Sequence, residues 1–259
     1  PRNLTVVFDD SADWGGLHDH LGVPVATTST PPQDGVAIDV FSEPVSAARR
    51  RPIGASLHTG VVAIEALAPI GRGQSMMIFG PDGLPAGSGR TDLALRLLTA
   101  QHALGTDVKC VLVLAGSDAE RASAIDSLRE SGALEAIKVL EASTPLEAML
   151  ASSAACSIAE ACGEDVLVVV DSLRPHLRLW RSICRVLQDN NVPVSPEEEG
   201  SQQRAYYSRL VERAARRKEG GSVTLLLLQP SVSVLPSTER AKEAYTLADF
   251  QAADFTKTV

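Results

Sequence analysis

Aromatic side chains are scarce in this chain: two Trp, three Tyr and five Phe make up 4% of its 259 residues. Basic charge is in deficit too, with 24 Lys and Arg against 32 Asp and Glu, for a net charge of −8. Sequence-independent nucleic-acid binders need stacking platforms and a cationic surplus that displaces counterions from phosphates. No nucleic-acid partner is therefore expected. The four cysteines, at 110, 156, 162 and 184, are too few and too scattered for a disulfide framework, which points to a soluble, reducing compartment. Cys156 and Cys162 are six residues apart and fall on different faces of a helix, so they read as small buried residues rather than metal ligands. His18 and His20 could share one side of a strand and bind a metal, but no further ligand is nearby, and an exposed loop is expected. No apolar run approaches the roughly 20 residues that span a bilayer. The longest, such as Val166–Val170 and Leu225–Leu228, are strand-sized, so no membrane insertion is expected. The first residue is Pro1 rather than methionine, consistent with a processed or trimmed chain.

What the chain does have is a hydrophobic content of 44%, enough to bury the core of one large α/β domain. From Ile70 onward, short apolar runs at 76–79, 110–114, 137–140, 166–170 and 223–228 alternate with longer amphipathic stretches. The runs are apolar almost throughout, as in parallel strands buried on both faces. The stretches 91–104, 119–131, 145–162, 174–189 and 203–219 repeat apolar residues at three and four spacing, which predicts helices. Three segments follow: loosely packed strands and a connector over 1–56, a nucleotide-binding domain over 57–235, and a polar tail over 236–259. In the first, Leu4–Phe8 reads as a strand, Thr27–Gly35 as a turn region and Arg49–Pro52 as a basic connector. Asn190–Gly200 reads as a loop, and Tyr245–Leu247 as one last short strand.

One further lack is the most telling. The strand Met76–Phe79 ends at Gly80 and leads through Gly87-Ser88-Gly89-Arg90-Thr91 into a helix, the order of a phosphate-binding loop. In such loops glycines turn backbone N–H groups toward the phosphates, a lysine bridges the outer phosphates, and a Ser or Thr hydroxyl holds magnesium. Here the lysine is replaced by Arg90, and eight residues, Pro81 to Ser88, separate Gly80 from Gly89 where four are usual. Pro81 and Pro85 have no N–H to offer. A guanidinium is planar and longer than an ammonium, so it is not the same point charge between phosphates.

The run Thr59-Gly60-Val61-Val62-Ala63-Ile64-Glu65-Ala66-Leu67-Ala68-Pro69-Ile70-Gly71-Arg72-Gly73-Gln74 resembles the nucleotide-binding domain of the rotary ATP synthase head, the α-subunit type in particular. Cys156–Glu160, Val166–Asp171, Trp180-Arg181, Ser208–Ala215 and Gly220–Thr224 continue the resemblance in order, over approximately residues 40 to 235. It implies a RecA-like, mainly parallel sheet of P-loop NTPase type with ATP or ADP and Mg at its carboxyl edge. A complete N-terminal β-barrel and the C-terminal helical bundle of that family are not evident.

The nucleotide-binding candidates are Gly80, Gly87, Ser88, Gly89, Arg90 and Thr91, with Thr91 and Asp171 as magnesium ligands. Each has a structural alternative: Thr91 as an ordinary first-turn residue, Asp171 as a helix cap. Glu120 is the catalytic candidate, because β-type members of the family carry a Glu-Arg pair near Glu120-Arg121 that activates water. A solvent-facing glutamate in a first helical turn is the alternative reading. Arg204, Arg209, Arg213, Arg216, Arg217 and Lys218 form the concentrated basic feature, read as a subunit-facing or solvent-facing helix.

The leading expectation is a divergent α-like protein, non-catalytic or weakly ATP-binding. It would act as a binding module, assembly factor or accessory subunit beside β- or γ-type subunits, in chloroplast stroma or mitochondrial matrix if the source is eukaryotic. The alternatives are an active Mg-dependent ATPase with Arg90 in place of the lysine, and a structural protein that holds no nucleotide.

Overall fold

In a computed structural model of the chain, the described residues are 4–8, 14–25, 36–80 and 89–230. The apolar runs assemble side by side into a seven-stranded sheet. Its order is β2 (Gly16–His18), β6 (Ile137–Glu141), β5 (Lys109–Leu114), β7 (Val166–Val170), β9 (Ser222–Pro230) and β4 (Ser75–Gly80), all parallel. The short β8 (Ala215–Arg216) pairs antiparallel with the start of β9. This is the mainly parallel α/β sheet that the alternating pattern predicts.

Alternation along each central strand divides the interior into two cores. Val111, Val113, Val168, Val170, Leu225 and Leu227 face one, while Leu112, Leu114, Leu167, Val169, Leu226 and Leu228 face the other. The second core is closed by α2 (Arg90–Ala103) and α3 (Asp118–Glu130). The first is closed by α4 (Pro145–Cys162), α6 (Pro196–Glu212) and a two-stranded ribbon of β1 (Thr5–Phe8) and β3 (Val36–Asp39). Among the described residues, the N-terminal part is thus a ribbon and an added sheet strand, with no closed barrel. α5 (Arg174–Asp189) packs on α4 at the outside of the first core. A six-residue helix, α1 (Val62–Leu67), completes the set.

Helices 145–162 and 174–189 have the predicted bounds, and the central strands agree to within a residue or two. The helix predicted at 203–219 does not. It starts at Pro196 and stops at Glu212, so the expected loop shrinks to the residues before Pro196. Ser195 is the reason for the early start. Its hydroxyl accepts from Glu198 N at 3.1 Å, and the Glu198 carboxylate accepts from Ser195 N at 3.0 Å, a capping box with Pro196 at the first helical position. Replacing Ser195 by Ala is expected to lower the urea unfolding free energy by about 1 kcal/mol. An unchanged midpoint would mean the cap adds nothing.

The early stop corrects the reading of a basic surface helix. Arg213 turns into the first core and is 3% exposed, Arg216 lies in β8, and Arg217 donates to the Glu160 carbonyl. His18 is a second correction: it is buried in β2, not in an exposed loop. Its Nδ1 lies 2.9 Å from Gly16 O and its Nε2 3.0 Å from Lys138 Nζ. Among the described residues, no group of three His, Cys, Asp or Glu could hold a metal. Cys156 is fully buried and its thiol is pushed up to about 12 by that burial. The predicted turn region at 27–35, the expanded segment 81–88 and the tail from Pro236 lie outside the described residues.

Candidate functional site

In a parallel sheet the carboxyl ends of the strands open onto a common edge, where ligands of α/β proteins sit. Gly80 ends β4 at this edge, paired with Pro230 of β9. Gly87 and Ser88 fall outside the described residues. Gly89 is the N-cap of α2, with φ 103° and ψ −166°, a backbone conformation that favours glycine. Arg90 and Thr91 are the first two residues of that helix, and Thr91 is half-buried.

The helix starts are of two kinds. α3, α4 and α6 each begin with a reciprocal capping box: Ser117 with Glu120, Thr144 with Glu147, and Ser195 with Glu198. At α2, as at α1 and α5, no side chain among the described residues caps the end. Among the described residues nothing takes up the first N–H groups of α2, which with the positive dipole end suit a phosphate. Asp92 complicates this. It is the carboxylate of the first turn, one residue past Thr91, where it favours the helix dipole and opposes a second anion. The phosphate-loop pattern draws the eye to Arg90 and stops at Thr91, although Asp92 was readable as an acid in a first turn.

Asp171 and Glu120 lie near one another at the next strand ends, on either side of Gly116. Asp171 follows β7, is buried, and its Oδ1 accepts from Ala115 N at 2.9 Å. Gly116 follows β5. A Cβ added there would lie 2.9 Å from Glu120 Oε2 and 3.5 Å from Asp171 Oδ2. The two carboxylates thus flank one small space that the missing side chain of Gly116 leaves open. Within it Glu120 is already engaged: its Oε2 accepts from Ser117 N and Ser117 Oγ, each at 2.8 Å. Arg121 braces the same loop from behind, donating to Gly116 O at 2.9 Å and Ala142 O at 3.2 Å, with Asp118 Oδ1 2.7 Å from its Nη2.

These residues fit a nucleotide with magnesium in type. Mg²⁺ takes one or two protein oxygens beside substrate phosphates and water, and Thr91 and Asp171 are donors of that kind at the sheet edge. They do not reproduce the compact ammonium that a lysine would supply. No described helix is long and apolar enough to cross a membrane.

The chain is 35% identical over 188 residues to the ATP synthase subunit alpha of Acetivibrio thermocellus, covering 68% of this chain and 35% of the relative. Against the subunit alpha of Mesoplasma florum it is 33% identical over 214 residues, 78% of the chain and 38% of the relative. The subunit alpha of Dehalococcoides mccartyi gives 34% over 213 residues, 78% and 39%. The chain thus spans little more than a third of the length of these curated relatives. The profile of the ATP synthase alpha/beta family, nucleotide-binding domain, matches residues 60–234, which include the strand-loop-helix around Gly89 and both carboxylates. On that coverage, with its mainly parallel sheet, the chain belongs to the ATP synthase alpha/beta family through its nucleotide-binding domain.

Proposed function

We propose that this chain is an α-type nucleotide-binding-domain protein that holds ATP or ADP weakly and does not turn it over efficiently. It serves as a binding module, assembly factor or accessory subunit toward β- or γ-type ATP synthase subunits. The observation that carries this is the commitment of Glu120 to the Ser117 capping box, which takes the candidate base out of position to activate water. Arg90 in place of the lysine and Asp92 in the first turn of α2 support the same reading, because both weaken phosphate binding without disturbing the sheet. When bound, Mg²⁺ would neutralise phosphate charge; Thr91 and Asp171 would hold it, and the N–H groups of α2 would orient the phosphates. In a eukaryotic source, chloroplast stroma or mitochondrial matrix is the compartment that this role assigns.

Thermal unfolding with millimolar MgATP or MgADP tests the reading. Mass action converts binding near its dissociation constant into about 0.4 kcal/mol, a shift of about 1 °C for a chain of this size. Arg90→Ala is expected to abolish the shift, and Asp92→Ser to enlarge it. No shift in either the wild type or Asp92→Ser would favour a structural protein without nucleotide.

The convergence of Glu120 and Asp171 at Gly116 supports one second reading, an active Mg-dependent ATPase. It requires metal-dependent phosphate release that vanishes in Asp171→Ala and Glu120→Gln. Turnover that survives both substitutions would remove those roles.

A further inference from the structure

We propose that the outer face of α5 is a docking surface for an acidic helical segment of a partner protein. Arg174, Arg178, Arg181 and Arg185 follow one another at four, three and four residues, which places them within about 60° of one another around the helix axis. All four are exposed. The other side of the helix, with Pro175 and His176 buried and Leu177, Trp180, Cys184 and Leu187 half-buried, faces the body of the protein. The arginine side therefore points outward.

This charge does not serve the helix itself. Like charges at three and four spacing repel, and Arg174 stands in the first turn, where the dipole disfavours a cation. The first turn has no acid and the last turn no base, the reverse of what would stabilise the helix. On α3, by contrast, each of Arg121 and Arg129 pairs with an aspartate three residues earlier. Arg174 and Arg181 also engage neighbours within the fold, whereas Arg178 and Arg185 form no ion pair among the described residues. Two exposed guanidiniums, on Cα positions two helical turns and roughly 10 Å apart, thus face solvent on a chain of net charge −8.

Charge complementarity limits what can lie along them. A nucleic acid would meet a chain repulsive overall and no aromatic on this face, since Trp180 is on the far side of α5. An anionic bilayer calls for apolar residues beside the arginines, to insert while the cations meet the headgroups; here the exposed apolar residues of α5, Ile183 and Val186, lie about 110° or more around the axis from the centre of the arginine stripe. Carboxylates seven residues apart on one face of a helix, as a four-three-four repeat provides, match the spacing of Arg178 and Arg185, and guanidinium forks pair with them in bidentate fashion. The surface lies on a different helix from the nucleotide candidates, and the inference does not rest on nucleotide binding.

The test uses the full chain and an alanine-based helical peptide with glutamates at four-three-four spacing, read by fluorescence anisotropy at low salt. A peptide of identical composition with its glutamates spread around the helix, an oligouridylate, and phosphatidylserine-containing vesicles are the comparisons. The patterned peptide is expected to bind at least about tenfold more tightly than the scattered one. That preference should disappear in Arg178→Glu/Arg185→Glu, and diminish in the milder Arg178→Gln/Arg185→Gln, with circular dichroism unchanged. Equal binding of the two peptides, retention of the preference in both variants, or tighter binding of oligouridylate or vesicles would each overturn the proposal.

Discussion

Arg213→Met is expected to destabilise the protein by about 3–5 kcal/mol, because it strands the largely buried Glu160 carboxylate and two backbone carbonyls at once. The guanidinium is bidentate to Glu160, with Nε to Oε1 and Nη2 to Oε2 both at 2.8 Å. Its remaining donors reach Val40 O at 3.1 Å, Ser153 O at 3.0 Å and Ser157 Oγ at 2.7 Å. Burial alone would depress its pKa, yet the Glu160 carboxylate holds it above the usual arginine value. One side chain at the end of α6 thereby ties α4 to the loop after β3, and so to the N-terminal ribbon. Thermal unfolding should fall by about 10 °C. Amide exchange should accelerate first in β1 and β3, which lose the Val40 anchor. The companion Glu160→Met variant decides whether pairing is the cause. If it is, the double variant is more stable than the sum of the single losses implies, since no charge is then left buried. Strict additivity would show that Arg213 acts through packing alone.

The same residue shows where the sequence was legible and where it was not. Helices α4 and α5 could be bounded from the chain because local signals agree: Thr144 before Pro145 and Gly163 after Cys162 for α4, and Pro175 in the first turn of α5. In α6 the local signals mislead. Pro193, Pro196 and three glutamates read as a loop, and the arginines that follow read as a solvated helical face. The outcome depends on tertiary partners: Glu160 draws Arg213 inward, and β9 captures Ala215 and Arg216 in a ladder. His18 was unreadable for a like reason, since a three-residue strand at a sheet edge is defined by its pairing with β6 rather than by its composition.

At the candidate site, chain order and chemistry diverge in the same way. Gly87 to Thr91 are contiguous, so their resemblance to a phosphate loop is visible in the sequence. The proximity of Glu120 to Asp171 is not, because it arises only when β5 and β7 lie side by side and Gly116 removes the side chain between them. The Ser117 capping box was available as a Ser-x-x-Glu pattern, and it bears directly on what Glu120 is free to do.

Acidification from pH 7 to about 4.5 is expected to cost several kcal/mol of stability, most of it through two buried histidines. His176 Nε2 lies 3.2 Å from Ser152 Oγ, whose own proton goes to Ala148 O at 2.9 Å, so Nε2–H is the donor. Its Nδ1 is buried with no partner among the described residues, and the ring stacks on Tyr207 at 6.0 Å. A proton on Nδ1 would be a cation with no acceptor, and burial lowers the pKa to about 4. His18 is likewise lowered to about 4, by burial first and then by the Lys138 ammonium beside it. Both residues titrate near the usual 6.5 when unfolded. Between pH 6.5 and 4 the unfolded chain therefore takes up protons that the folded chain refuses. Stability falls as pH falls through that window, levels off for these groups below pH 4, and is unaffected by them above pH 6.5. Two pH units inside the window correspond to about 3 kcal/mol for each histidine. Urea unfolding of wild type and His176→Phe at both pH values checks this. The variant has a new ring in a packed site and starts from a different stability, but its loss on acidification should be roughly half that of the wild type. An identical loss in the two proteins would show that His176 is not the group being protonated, and would shift the acid sensitivity to carboxylates such as Asp165, held below its usual range by Ser222 and Arg72.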